Sequence, residues 1–118
     1  MIICITASGR EESSQQDPRF GRCEAFYLFD DTKKEGRFID NPFKSAVGGA
    51  GVRAAELIVK EGASRLVSGQ IGPNAWDVLK EAGIRVFSSK EASVRAALDA
   101  FLAGNLSEVE APGPAGHK

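Results

Sequence analysis

The sequence predicts an α/β fold: a five-stranded mixed sheet in the order 3-2-1-4-5, with strand 2 antiparallel, covered by about three helices. Three observations lead there. Ile2-Ile3-Cys4-Ile5-Thr6 is an apolar, largely β-branched run without alternation, which is how a strand buried on both faces reads. Two further strand-like segments, Ala25–Phe29 and Arg37–Asp40, flank the polar stretch Asp31-Thr-Lys-Lys-Glu-Gly36 and read as a hairpin. Beyond Asn41, helical periodicity alternates with short apolar runs, the pattern of βαβ crossovers in a parallel sheet.

Taken in order, residues 8–17 (SGREESSQQD) are polar and predict a mobile loop at the sheet edge. Asn41-Pro42 ends the hairpin. Gly48-Gly49-Ala50-Gly51 then precedes a helix from about Val52 to Glu61, with Ala54, Ala55 and Ile58 on one face and Arg53, Glu56 and Lys60 on the other, closed by Gly62. Leu66-Val67-Ser68 is strand 4. Gly69-Gln-Ile-Gly72 leads into a helix with Pro73 at its first position, where the missing N–H costs nothing. Gly83 ends that helix, and Ile84–Phe87 is strand 5. Ser88 with Glu91 predicts a capping box for a helix burying Val94, Ala97, Leu98 and Phe101, and Gly104-Asn105 terminates it. Residues 1–104 form one domain on this reading, and residues 105–118, Pro/Gly-rich from Ser107 onward, a flexible tail.

Composition narrows the function. Fifteen Lys and Arg balance sixteen Asp and Glu, so no global field recruits nucleic acid or an anionic membrane surface, and any anion site is local. No apolar run approaches the roughly 18 residues of a membrane span. Met1 leads into a strand without a signal-like segment, which predicts a cytoplasmic protein. Two cysteines make no disulfide framework, and they are too few for a conventional four-thiolate iron-sulfur cluster. A cluster held through few protein ligands, or between two chains, stays compatible with the count.

The stretch Asp17-Pro-Arg-Phe-Gly-Arg-Cys23 concentrates a constrained turn, two cations, an aromatic residue and a thiol. Arg19 and Arg22, if close, favour a Cys23 thiolate able to act as a nucleophile or metal ligand; alternatively Phe20 plugs the core and Cys23 is a small buried hydrophobe. The predicted topology brings four loops to one sheet edge: Thr6–Gly9, Phe20–Cys23, Asn41–Gly51 and Gly69–Asn74. In open α/β sheets ligands bind at that edge. Two of these loops end at helix N-termini, whose unpaired amides and positive dipole ends favour an anion, with Gly48, Gly49 and Gly51 permitting close approach and Asn74 adding a polar group. The same glycines equally suit tight βα turns.

Other activities fit poorly. VGGAGVRA lacks the P-loop lysine and hydroxyl, and SGQIGPNA is not a dinucleotide fingerprint. Strand 1 carries no carboxylate for metal-dependent nuclease chemistry. The single histidine, His117, lies in the tail, far from Cys23 in sequence, which argues against a Cys-His hydrolase. Trp76 reads as core.

The segments DPRFGRCEAFYLFD, NPFKSAVGGAGVRAAELIVKEGA and SGQIGPNAWDVLKEAGIRVF together resemble the dinitrogenase iron-molybdenum cofactor biosynthesis family from Met1 to about Leu102. The resemblance implies a ribonuclease-H-like α/β motif and binding, without turnover, of an anionic metal-sulfur cluster or precursor during metallocofactor assembly. The group would be an iron-sulfur or molybdenum-containing cluster, transiently bound. Implied binding positions are Arg19, Arg22, Cys23, Gly48, Gly49, Gly51, Gly69, Gly72 and Asn74, with Cys23 as the metal ligand. Implied partners are cofactor-assembly proteins, with the chain itself a monomer or weak homodimer. A regulatory or protein-interaction domain without metal is the alternative, and a small enzyme acting on an anionic metabolite ranks last.

Overall fold

The computed structural model describes residues 1–113. Its six strands are β1 (Ile2–Ala7), β2 (Ala25–Asp30), β3 (Glu35–Asp40), β4 (Ala63–Ser68), β5 (Arg85–Ser88) and β6 (Ser107–Val109). The helices are α1 (Ala50–Lys60), α2 (Pro73–Glu81) and α3 (Val94–Leu102). The strands form one mixed sheet in the order β3-β2-β1-β4-β5-β6, parallel between β1 and β4 and between β4 and β5, antiparallel elsewhere.

The burial of β1 on both faces explains its unbroken apolar run. Cys4 joins Phe26, Leu28, Leu66 and the inner faces of α1 and α2 on one side. Ile3 and Ile5 join Tyr27, Phe29, Val67 and the α3 residues Val94, Ala97 and Leu98 on the other. Trp76 is buried in the first of these clusters. Successive strand residues face opposite ways, so a strand with a helical layer on each side must be apolar at every position.

Four sequence-based expectations are corrected. The sheet has six strands, because Ser107–Val109, expected in a flexible tail, pairs antiparallel with β5, opposite Val86–Ser88. Arg85 donates from Nε to Glu108 at 3.0 Å and anchors that pairing. Farther along the expected tail, Gly113 N–H donates to the Ile71 carbonyl at 2.8 Å, and the last five residues, 114–118 with His117, lie outside the described residues.

The loop at residues 8–17 is pinned on both sides instead of mobile. Gln16 N–H donates to Ala92 at 3.0 Å, Asp17 N–H to Thr6 at 2.9 Å, and the carbonyls of Glu12 and Ser14 accept from Arg95 and Val94 at the start of α3. Its polar side chains hid a segment that satisfies its hydrogen bonds through the backbone. The expected Ser88/Glu91 box is also absent. Ser88 is still in β5, and Ser93 caps α3 by accepting from Ala96 N–H at 3.0 Å.

Finally, Gly36 belongs to β3 instead of the turn. A Cβ there would collide with the Tyr27 ring, so its glycine serves cross-strand packing, while Lys34 takes the positive φ of 59° at the hairpin tip.

Candidate functional site

Two Asx–Pro steps shape the site. Asp17 precedes Pro18 and Asn41 precedes Pro42, and in both cases the side chain accepts from the backbone N–H two residues on: Arg19 N–H at 2.9 Å and Phe43 N–H at 3.0 Å. Asn41 is buried, and its Nδ2 donates to the carbonyls of Gly21 and Cys23 at 3.0 and 2.9 Å, binding the two loops to each other. A third loop joins through Gln70 N–H, which donates to the Pro18 carbonyl at 3.0 Å.

Glycine permits these approaches. A Cβ on Gly69 would run into the backbone of Pro18, and one on Gly21 would sit 2.8 Å from the N and Cα of Gly51 in the first turn of α1. The result is a cleft of about 540 Å³ lined by residues 18–22, 47–52 and 70, 72–75. Three of the four loops expected at this edge line it; the Thr6–Gly9 loop does not, and contributes instead the Ser8 hydroxyl, 3.3 Å from the Asp17 carboxylate.

Both helices that begin at the cleft have open N-termini. Gly49, in the left-handed region at φ 71°, precedes α1, and Gly72 precedes α2; neither helix has a side-chain cap or an acidic residue in its first turn. Among the described residues, the amides of Ala50, Gly51 and Val52 and those of Asn74 and Ala75 have no protein acceptor. The contrast with α3 is sharp, since its first amides are taken up by Ser93 Oγ and the carbonyls of Glu12 and Ser14. Unpaired donors and two dipole ends therefore face one cavity, the arrangement that favours an anion.

The two arginines at the rim have different partners. Arg19 donates from Nε and Nη2 to the Asp17 carboxylate at 3.1 and 3.0 Å, with its own side chain largely in solvent. Asp17 is 1% exposed. Burial by itself raises its pKa, but the Arg19 side chain and amide prevail and hold the carboxyl below its ordinary value. Arg22 instead donates from Nη1 to the carbonyls of Lys44 and Ala46 at 3.0 and 2.7 Å.

Cys23 does not reach the cleft. It is fully buried beneath the loop, its Sγ directed at the Phe20 carbonyl at 3.3 Å. Burial, and next the negative charge of Asp17, push its thiol up to about 12. The expectation of an arginine-stabilised thiolate is thus corrected: the guanidinium groups are engaged elsewhere, and the buried-hydrophobe alternative holds, with Phe20 packed on Phe26 at 5.9 Å between ring centroids.

Of the residues singled out from the sequence, Arg19, Arg22, Gly48, Gly49, Gly51, Gly72 and Asn74 line the cleft, while Cys23 and Gly69 lie behind it. Sequence reasoning placed Asp17, Asn41, Val47 and Gln70 in the segments that converge here but gave none of them a role in building the site. The Asp-Pro and Asn-Pro dipeptides were the available signal for the first two. Among the described residues no group of three or more His, Cys, Asp or Glu side chains is placed to hold a metal ion, and no helix is long and apolar enough to cross a membrane.

Fold and cleft together define an α/β domain with an amide-lined site at the carboxyl edge of its parallel strands. The chain belongs to the dinitrogenase iron-molybdenum cofactor family, whose sequence pattern matches residues 1–104. Its structure is similar to that of the orange protein from Desulfovibrio gigas in its apo form, with 35% identity over 95% of each chain and a TM-score of 0.90. It is also similar to a NifB-like protein from Thermotoga, with 31% identity over 91% of each chain and a TM-score of 0.82. An uncharacterized protein from Methanocaldococcus jannaschii is 30% identical over 102 residues, 84% of this chain and 86% of its own.

Proposed function

We propose that this domain, whose motif we read as ribonuclease-H-like, is a carrier that binds an anionic metal-sulfur cluster or its precursor as cargo during metallocofactor assembly, without turning it over. The observation that carries the reading is the pair of open helix N-termini, Gly49–Val52 and Gly72–Ala75, on one cleft. Family membership supplies the class of cargo.

The donor set suits a cluster more than a bare ion. Backbone amides and the Arg19 and Arg22 guanidiniums bind through hydrogen bonds and charge, so they address the outer sulfides of a polyanion. Pro18, Phe20, Val47, Val52 and Ala75 line the same cleft, and such apolar walls suit a large, weakly hydrated anion. A cargo held by amides and charge, with no thiolate bond to break, is readily passed on to a cytoplasmic assembly partner.

The test is metal and sulfide content, with an absorption spectrum, on protein purified without oxygen and after reconstitution with iron, molybdenum or copper and sulfide. Uptake with charge-transfer bands, retained in Cys23→Ser, supports amide-held cargo. Colourless, metal-free protein after reconstitution would instead favour a protein-interaction domain.

A further inference from the structure

We propose that Arg22 is a positioning residue: a latch that aims the open amides of α1 into the cleft by gripping the loop in front of them. This inference deepens the carrier reading and rests on it for its binding consequence, but the latch itself does not depend on the nature of the cargo.

Besides Arg22, one other side chain pulls the middle of the loop from Pro42 to Gly49 inward: Lys44 donates from Nζ to the half-exposed Glu24 carboxylate at 2.6 Å, an ion pair that leaves the loop's backbone acceptors untouched. Asn41 fixes its start through Phe43 N–H, and Ala46 N–H closes a turn on the Phe43 carbonyl at 3.0 Å. Past Ala46 come Val47, which is fully exposed, and Gly48, around whose Cβ position there is nothing within 4 Å. Gly49 then turns through the left-handed region into α1. Among the described residues, the Arg22 guanidinium, through Nη1 to the carbonyls of Lys44 and Ala46, is the side chain that grips the backbone in the middle of this loop from the Asp17–Cys23 segment.

The neighbouring Gly21 packs against the first turn of α1 at Gly51, so two adjacent residues hold both sides of Gly48–Ala50. With one nitrogen spent on the loop, Arg22 acts on an anion mainly through the direction it imposes on the amides. Arg19, held by Asp17, donates to none of the 42–49 loop's backbone acceptors and so has no hold on that loop's direction.

The experiment uses amide NMR spectra of the full chain, free of cargo, for wild type, Arg22→Lys, Arg22→Ala and Arg19→Lys. A lysine keeps the charge but ends one atom short of the guanidinium nitrogen, and it has no rigid fork. Both Arg22 variants are expected to move the amides of Gly48, Gly49 and Ala50 well beyond those of Gly72 and Asn74, and Arg19→Lys to leave them in place. Unmoved Gly48–Ala50 amides in both Arg22 variants would overturn the latch.

Titration with inorganic phosphate as the probe reads the consequence. Arg22→Lys is expected to lose about tenfold in affinity, near the loss in Arg22→Ala, which corresponds to roughly 1.4 kcal/mol. Wild-type affinity in Arg22→Lys overturns the positioning role and leaves charge as its contribution. If wild type binds neither phosphate nor a reconstituted cluster, the carrier reading falls, while the cargo-free spectra still decide the latch.

Discussion

The carboxylate of Asp17 and the guanidinium of Arg19 form a bidentate pair at 3.1 and 3.0 Å in which the acid is buried and the base is not. This asymmetry sets the direction of its energetics. A buried carboxylate is tolerated because charged donors replace its water, and removing those donors strands it.

Arg19→Ala is therefore expected to destabilise the protein by about 2 kcal/mol near neutral pH, the scale of charge-assisted hydrogen bonds. The sign with pH follows from the depressed folded-state pKa of Asp17. Its contribution is fully present above the unfolded value of about 3.9 and is lost as pH falls through the lower folded value. Without Arg19 the folded pKa rises, so the Asp17 contribution shrinks or reverses, and the stability gap between wild type and Arg19→Ala is widest near neutral pH and narrows as pH falls and the carboxyl is protonated. Urea denaturation of both proteins at pH 7 and at pH 3 should show the larger difference at pH 7; a difference that does not shrink at pH 3 would mean that the Asp17–Arg19 ion pair is not its source.

Three alanine substitutions at glycines should separate close packing from backbone strain and from open space. Gly69→Ala forces a methyl into the Pro18 backbone and is expected to cost about 1–3 kcal/mol while displacing the Asp17–Cys23 loop. Gly49→Ala meets no close neighbour but sits at φ 71°, where a side chain costs about 1–2 kcal/mol. Gly48→Ala has neither problem and should stay within about 0.5 kcal/mol of wild type. Urea denaturation of the three variants tests that ranking, which a general need for glycine in this loop would not produce.

The Cys23 thiol, pushed up to about 12, stays protonated at ordinary pH. A raised folded-state pKa means that its contribution to stability is intact below the unfolded value of about 8.5 and drains as pH rises from there toward 12. Cys4 adds in the same direction, its thiol also raised by burial and secondly by Cys23. At pH 8 the native protein should react with a thiol reagent at least roughly a hundredfold more slowly than the urea-unfolded chain, because the thiolate is the reactive form. Fast labelling of native Cys23 would show that the loop opens readily and would restore the thiol as a candidate ligand.

Much of the fold was legible because its signals are local. The uniform apolar run of β1, the glycines after α1 and α2, and Pro73 at the start of α2 each declare an element within a few residues, and the βαβ order fixes the sheet from β3 to β5. What escaped detection depends on contacts distant in sequence. Ser107–Val109 has no strand signature of its own and becomes one through β5 and the Arg85–Glu108 pair. The polar loop at residues 8–17 is ordered by α3, some 80 positions further along the chain. At the site, the convergence of glycine loops was readable from topology. The direction of Cys23 was not, since a thiol beside two arginines reads alike whether those arginines face it or face Asp17 and the Lys44 and Ala46 carbonyls.

Asn74→Asp puts stability and binding in opposition at a single atom. Asn74 is the second residue of α2, exposed, and lines the cleft at a helix start that has no acidic residue in its first turn. A carboxylate there interacts favourably with the dipole and the free amides, and is expected to add about 0.3–1 kcal/mol to stability. The same charge occupies the donors and repels an incoming anion, so cluster uptake and phosphate affinity should fall about tenfold or more, most strongly at low ionic strength where screening is weak. Thermal unfolding and anion titration on one preparation test both halves. A variant that is more stable and binds less well assigns the open end of α2 to the anion. Unchanged binding would restrict the site to α1 and the two arginines.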